Sequence, residues 1–146
     1  MLLRVHACLQ AQLEQELAAT CHLPLAWYDA LVALDATPER RLRLQDLVGL
    51  LPLSKSGLSR LIARMEEAGL VARQDCAEDR RGTFAVLTPA GQAALEQARP
   101  AYRAVVTAHF TQHLSDDETV ALRSAFRKIL EGVREKTRRT LTYSSR

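Results

Sequence analysis

A chain of 146 residues that is 47% hydrophobic and 25% charged can bury one core and is too apolar to stay disordered, so a single domain over 1–146 is expected. No run of ~18 apolar residues occurs, and the leucines at the start are interrupted by Arg4, His6 and Gln10. Both points argue against a membrane span or a secretory signal and for a cytoplasmic protein. The net charge of +3 is uneven: residues 40–81 hold nine Lys/Arg against six Asp/Glu, residues 127–146 hold seven against two, and the remainder carries −5. In chain order, Leu2, Val5, Leu9, Leu13 and Leu17 recur at spacings of three and four and predict an amphipathic helix. Pro24 then opens a second helix through Trp27, Tyr28, Leu31 and Leu34.

Further along, Ser54 can cap a helix in which Leu58, Leu61, Ile62 and Met65 fall at i, i+3, i+4 and i+7 and form one buried stripe. At ~100° per residue, the outward arc carries Ser56, Arg60 and Ala63, flanked by Lys55, Ser59 and Arg64. Hydroxyls and backbone amides at a helix start bond phosphates, lysine and arginine reach guanine acceptors, and Gly57 in the first turn permits close approach. That arc suits a major groove, although an ordinary solvated face would look similar. Gly69 can take the left-handed conformation that ends a helix. Two short strands, over 70–73 and 83–87, are then expected to flank a polar loop over 74–82, which makes a wing. Within that loop Asp79 stands two residues before Arg81, close enough to orient the guanidinium toward a narrow, negative minor groove, with Arg80 between them.

Four ordered motifs, Leu53-Ser54-Lys55-Ser56-Gly57-Leu58-Ser59-Arg60-Leu61, Glu66-x-x-Gly69-Leu70-Val71, Asp79-Arg80-Arg81-Gly82 and Leu87-Thr88-Pro89-Ala90-Gly91, resemble the MarR family of dimeric winged-helix transcriptional regulators. The likeness runs from about 23 to about 130. It implies a mainly α fold with a small two- to three-stranded β-wing. A winged helix-turn-helix DNA-binding part would cover 23–91, a helical dimerisation part would use the N- and C-terminal helices over 1–22 and 92–140, and 141–146 would be a disordered tail. It further implies a homodimeric regulator of double-stranded DNA that reads a pseudo-palindromic operator as a repressor and is released by a small-molecule effector. Ser54, Lys55, Ser56, Gly57, Ser59, Arg60 and Arg64 would lie on the recognition helix. Arg80 and Arg81 would sit in the wing, with Asp79 as the orienting partner. Relatives commonly hold ligands at the junction of the two parts, where His22, Trp27 and Tyr28 could bind a phenolic or aromatic acid or serve simply as packing. No cofactor is implied.

The chain departs from the family pattern before the recognition helix. Many relatives place a glycine in the turn where this chain has Leu51-Pro52-Leu53, and proline cannot adopt positive φ. The preceding short helix has Gln45 where a serine or threonine cap is usual, and Gly49 within it would cost roughly 1 kcal/mol relative to alanine. That helix should be weak. At the C-terminal end, Leu122, Phe126, Ile129 and Val133 repeat the apolar stripe of the first helix, and two such stripes suit packing against a second copy.

Cys8, Cys21 and Cys76 form no CxxC pair and should be reduced thiols; Cys8 occupies roughly the place of the oxidant-sensing cysteine of some relatives, but no tyrosine precedes Tyr28. His109 and His113 would share a helix face, as a zinc pair could, if 89–113 were one helix, yet two ligands do not make a site. The competing readings are therefore a zinc- or oxidant-responsive regulator and a winged-helix protein-interaction module. No nucleophile elbow, His-Glu-x-x-His or phosphate-binding loop occurs, so the chain is not expected to be an enzyme.

Overall fold

Helix α1, Leu2–Cys21, is stopped by His22, which adopts a left-handed conformation at φ 52°. The amide N–H groups of His22 and Leu23 both turn back onto the Leu17 carbonyl, and Pro24 then caps α2, Leu25–Asp35, at an angle of 87° to α1. In the computed structural model residues 1–76 and 79–143 are described, the side chains of 79–81 and 134–143 excepted. Among them no single helix is long and apolar enough to cross a membrane.

Following α2 come strand β1, Arg41–Arg43, helix α3, Leu44–Val48, and helix α4, Lys55–Glu67. Strands β2, Val71–Cys76, and β3, Asp79–Leu87, complete an antiparallel sheet in the order β1-β3-β2. Helix α5, Pro89–His109, a short 3₁₀ turn, Thr111–His113, and helix α6, Asp116–Tyr143, end the described chain. The expected mainly α fold with a small wing is what forms. The expected tail over 141–146 is helical through Tyr143, and 144–146 lie outside the described residues.

The chain packs as two units, Met1–Val106 and Thr107–Arg146. In the first, Leu17, Leu31, Leu34, Leu47, Leu58, Ile62, Met65 and Leu95 are the largest fully buried side chains, so α1, α2, α3, α4 and α5 share one core. Leu13 and Leu17 thus belong to the winged-helix core, and no break in packing falls at residue 22. In the second unit α6 keeps its apolar stripe at the surface: Val120, Ile129 and Leu130 are exposed, and Leu122 and Phe126 are half-buried.

Three local expectations need correction. The helix α3 is capped by Arg43 without a side-chain bond, with Gln45 inside it and Gly49 just beyond its end at φ −77°, so no interior glycine weakens it. The wing strands are longer than 70–73 and 83–87, because cross-strand pairs such as Asp75 with Thr83 and Cys76 with Asp79 carry poor strand formers into the ladder. The strands therefore take in 74–76 and 79–82 of the expected loop, and 77–78 lie outside the described residues. The third correction concerns the turn before α4: the Leu53 N–H donates to the Leu51 carbonyl at 2.8 Å, a three-residue turn centred on Pro52 that needs no positive φ.

Candidate nucleic-acid interface

Helix α4 begins where the Ser54 hydroxyl accepts the Gly57 N–H at 3.1 Å and lies 3.2 Å from the Ser56 hydroxyl. Leu58, Leu61, Ile62 and Met65 are all buried, so the opposite arc is fixed outward, and Lys55, Ser56, Ser59, Arg60 and Arg64 are exposed on it. Gly57 is half-buried beside Leu53. The helix ends as expected: Gly69 takes φ 73°, its N–H bonds the Glu66 carbonyl at 2.9 Å, and the Leu70 N–H bonds the Met65 carbonyl at 2.9 Å. Replacing Ser54 with alanine should cost about 1 kcal/mol of stability, read by denaturant unfolding, because the Gly57 amide loses its acceptor.

Two features of this surface have no counterpart in the sequence pattern. The first is a brace between wing and helix: Arg73 on β2 places Nε 3.4 Å from Glu66 Oε2, donates its backbone N–H to Glu66 Oε1 at 3.2 Å, and donates Nη2 to the Ser59 carbonyl at 3.3 Å. The second is β1 itself, whose Arg41 and Arg43 guanidinium groups lie 4.8 and 5.5 Å from the centre of the Phe84 ring. Arg41 also reaches Gln74 at 3.4 Å, and Arg43 donates to Cys76 Sγ at 3.5 Å, so these cations are held against the wing sheet. A three-residue strand with two arginines carries no apolar alternation that could have revealed it. The Asp79, Arg80 and Arg81 side chains, the expected wing-tip group, lie outside the described residues.

His22, Trp27 and Tyr28 have three different surroundings. His22 is the exposed left-handed residue after α1, Trp27 packs against the core, and buried Tyr28 stacks on Tyr102 of α5 with ring centres 4.5 Å apart. A cavity of about 440 Å³ is bounded by Leu9 and Leu13 of α1, Leu25 and Asp29 of α2, the turn 51–53, and Tyr102. Burial pushes the Asp29 carboxyl above its ordinary range; burial does the same to the Tyr28 and Tyr102 hydroxyls, and the Asp29 charge adds to the shift of both.

A carboxyl whose pKa is higher in the folded chain than in the unfolded one opposes folding once it ionises. That penalty is absent below the unfolded pKa, grows as pH rises toward the folded one, and is complete above it. Asp29→Asn should therefore unfold at a higher temperature than the parent near neutral pH. The gap should close as pH falls through the range where the folded Asp29 takes up its proton, a pattern that thermal scans over a pH series would read.

The histidine pair is separated by a break in the helix. α5 ends at His109, Phe110 takes φ −138°, and His113 sits in the 3₁₀ turn, so one continuous helix face does not carry both rings. Among the described residues no group of three or more His, Cys, Asp or Glu side chains converges as a metal site. Cys8 is exposed, Cys21 is half-buried, and Cys76 is buried against Arg43 rather than set in an open loop.

No curated protein matches the chain. A family model described as the MarR family matches residues 23–82. Among solved structures, the chain is similar to AbsC, a MarR family transcriptional regulator from Streptomyces coelicolor, at 38% identity and TM-score 0.81, covering 91% of this chain and 89% of that one. It is similar to Sco3205, another MarR family transcriptional regulator from Streptomyces coelicolor, solved in complex with DNA, at 32% identity and TM-score 0.80 over 89% and 81% of the two chains. Bordetella bronchiseptica BpsR, whose DNA binding is regulated by 6-hydroxynicotinic acid, is similar at 26% identity and TM-score 0.75 over 88% and 89%. With identity above 30% to two such regulators, each covered over 81% or more of its length, and the same winged-helix architecture, the chain belongs to the MarR family of transcriptional regulators.

Proposed function

We propose that the protein is a cytoplasmic homodimer that binds a pseudo-palindromic DNA operator, represses transcription from it and leaves it when a small-molecule effector binds. The observation that carries the reading is the outward arc of α4, where Lys55, Ser56, Ser59, Arg60 and Arg64 are all exposed while the opposite face is locked into the core. Short hydroxyls near the helix start position the backbone of a duplex, and the longer cations reach base edges or phosphates. The Arg73–Glu66 brace supports the same reading, since it fixes the wing relative to the helix it would flank.

Dimerisation is supported by apolar side chains at the surface of two helices, Leu2, Leu3 and Val5 on α1 and Val120, Ile129 and Leu130 on α6. Such stripes are stable in water once a second copy covers them. Two reading helices in one dimer would enter successive major grooves roughly 34–36 Å apart and demand half-sites about one turn apart. Light scattering on DNA-free protein and footprinting on the DNA upstream of its own reading frame test both statements. The expected results are a dimer at micromolar concentration and a symmetric protected site. A monomer, or no protection at any moderate salt concentration, would refute the proposal.

A further inference from the structure

The cavity of about 440 Å³ beside α2 is walled mostly by apolar side chains, five of them leucines, and its polar lining is His6, Gln10, Glu14, Asp29 and Tyr102. Its charge has one sign. Glu14 and Asp29 are both carboxylates, no lysine or arginine lines the space, and the exposed His6 is the one lining group able to become cationic. Asp29 is half-buried, and among the described residues it has neither an ion-pair nor a hydrogen-bond partner. It lines the same space as Tyr102, whose hydroxyl is uncharged and supplies no counter-charge.

A carboxylate withdrawn from water without a counter-charge is held at a cost, and an incoming cation removes that cost. An anionic ligand would instead bring a third negative charge among apolar walls. We propose that this cavity takes a lipophilic cation, a protonated amine on an apolar or aromatic body, with the ammonium against Asp29 and Glu14 and the body against the leucines. The assignment rests on the effector-responsive reading above and replaces the aromatic acid expected from the sequence.

The same lining couples the cavity to the reading helix. The turn 51–53 forms one wall and leads directly into Ser54, the cap of α4, and Leu53 packs beside Gly57 in the first turn of that helix. A bound amine that displaces this turn displaces the start of α4 with it, which is where the exposed hydroxyls and Lys55 stand. Occupancy would thereby loosen the grip on an operator without touching DNA.

Phenylbutylamine and phenylbutyrate carry similar apolar bodies and opposite charges, so titrating each into the intact dimer by calorimetry isolates the sign of the site. The amine should bind at least about tenfold more tightly than the acid, and the amine alone should release operator DNA in a parallel fluorescence-anisotropy titration. In an Asp29→Asn, Glu14→Gln double variant the preference should vanish; thermal unfolding of that variant confirms that it is folded. Equal or tighter binding of phenylbutyrate, no binding heat from the amine at millimolar concentration, or a preference that survives in the double variant would overturn the cation site. An amine preference in a protein that binds no operator would instead refute the regulator reading and leave the site standing.

Discussion

Gly91→Ala should be the most damaging alanine substitution among the described glycines, lowering stability by about 3 kcal/mol and the midpoint of thermal unfolding by roughly 10 °C. Gly91 lies in the first turn of α5, where an added methyl carbon would sit 2.0 Å from the Leu70 carbonyl oxygen and 2.9 Å from Leu87 Cδ1. The oxygen belongs to backbone, so relief requires α5 to move away from the base of the wing. That junction is tied on several sides. The Thr88 N–H donates to the Leu70 carbonyl at 3.2 Å, and the Thr88 hydroxyl donates to the Gly69 carbonyl at 2.7 Å while its own oxygen accepts the Gly91 N–H at 3.0 Å. Alanine's helix propensity returns only ~1 kcal/mol, far less than the clash costs. Gly132 of α6 has no atom within 4 Å of the equivalent position, so Gly132→Ala should stabilise by up to about 1 kcal/mol and serves as the control. Equal unfolding midpoints for Gly91→Ala and the parent, in guanidinium and on heating, would show that the close approach is not a constraint.

The sequence motif Leu87-Thr88-Pro89-Ala90-Gly91 thus has a physical content that its resemblance alone did not supply: a hydroxyl cap, a proline that starts a helix and a glycine that lets the helix touch backbone. Helix α4 was legible because its stripe of Leu58, Leu61, Ile62 and Met65 repeats with the helical period and Gly69 marks its end. Legibility fails where structure is made by partners distant in sequence. β1 is three residues long and forms because Leu42 pairs with Ala85, and the wing strands lengthen because each supplies the other's hydrogen bonds. The break at Phe110 has no proline or glycine to announce it, so the spacing of His109 and His113 suggested one helix across a point where α5 has already ended. The Arg73–Glu66 brace spans the Gly69 turn, and nothing in a local pattern distinguishes those two charges from solvated ones. The cavity was illegible for a related reason: aromatic residues draw attention to Trp27 and Tyr28, while packing puts Tyr28 on Tyr102 and leaves open space beside Asp29, which no local pattern marks.

Alanine at Lys55 or at Arg60 should weaken operator binding by about 1–3 kcal/mol for each base edge no longer bonded, while leaving dimerisation and folding intact. Both side chains are exposed, and among the described residues neither takes part in an ion pair, so their removal leaves no buried charge and no broken bond inside the protein. The loss should therefore appear in DNA affinity alone. Its salt dependence then separates two roles. Removing a side chain that neutralises a phosphate lowers the magnitude of the log–log salt slope by roughly 0.9 for each phosphate set free, on every sequence alike. Removing a side chain that reads a base edge leaves the slope nearly unchanged and relaxes preference at one position in each half-site. Lys55, at the first turn, should behave as the phosphate partner, and Arg60, on the centre of the outward arc, as the base reader. Arg73→Ala offers the contrast, since its charge is already engaged by Glu66 at 3.4 Å and its loss should free the wing rather than remove a bond to DNA. Anisotropy titrations of the three variants at several salt concentrations, on the operator and on unrelated duplex, read all of these effects. Wild-type affinity in both Lys55→Ala and Arg60→Ala at moderate salt would mean that α4 does not face DNA.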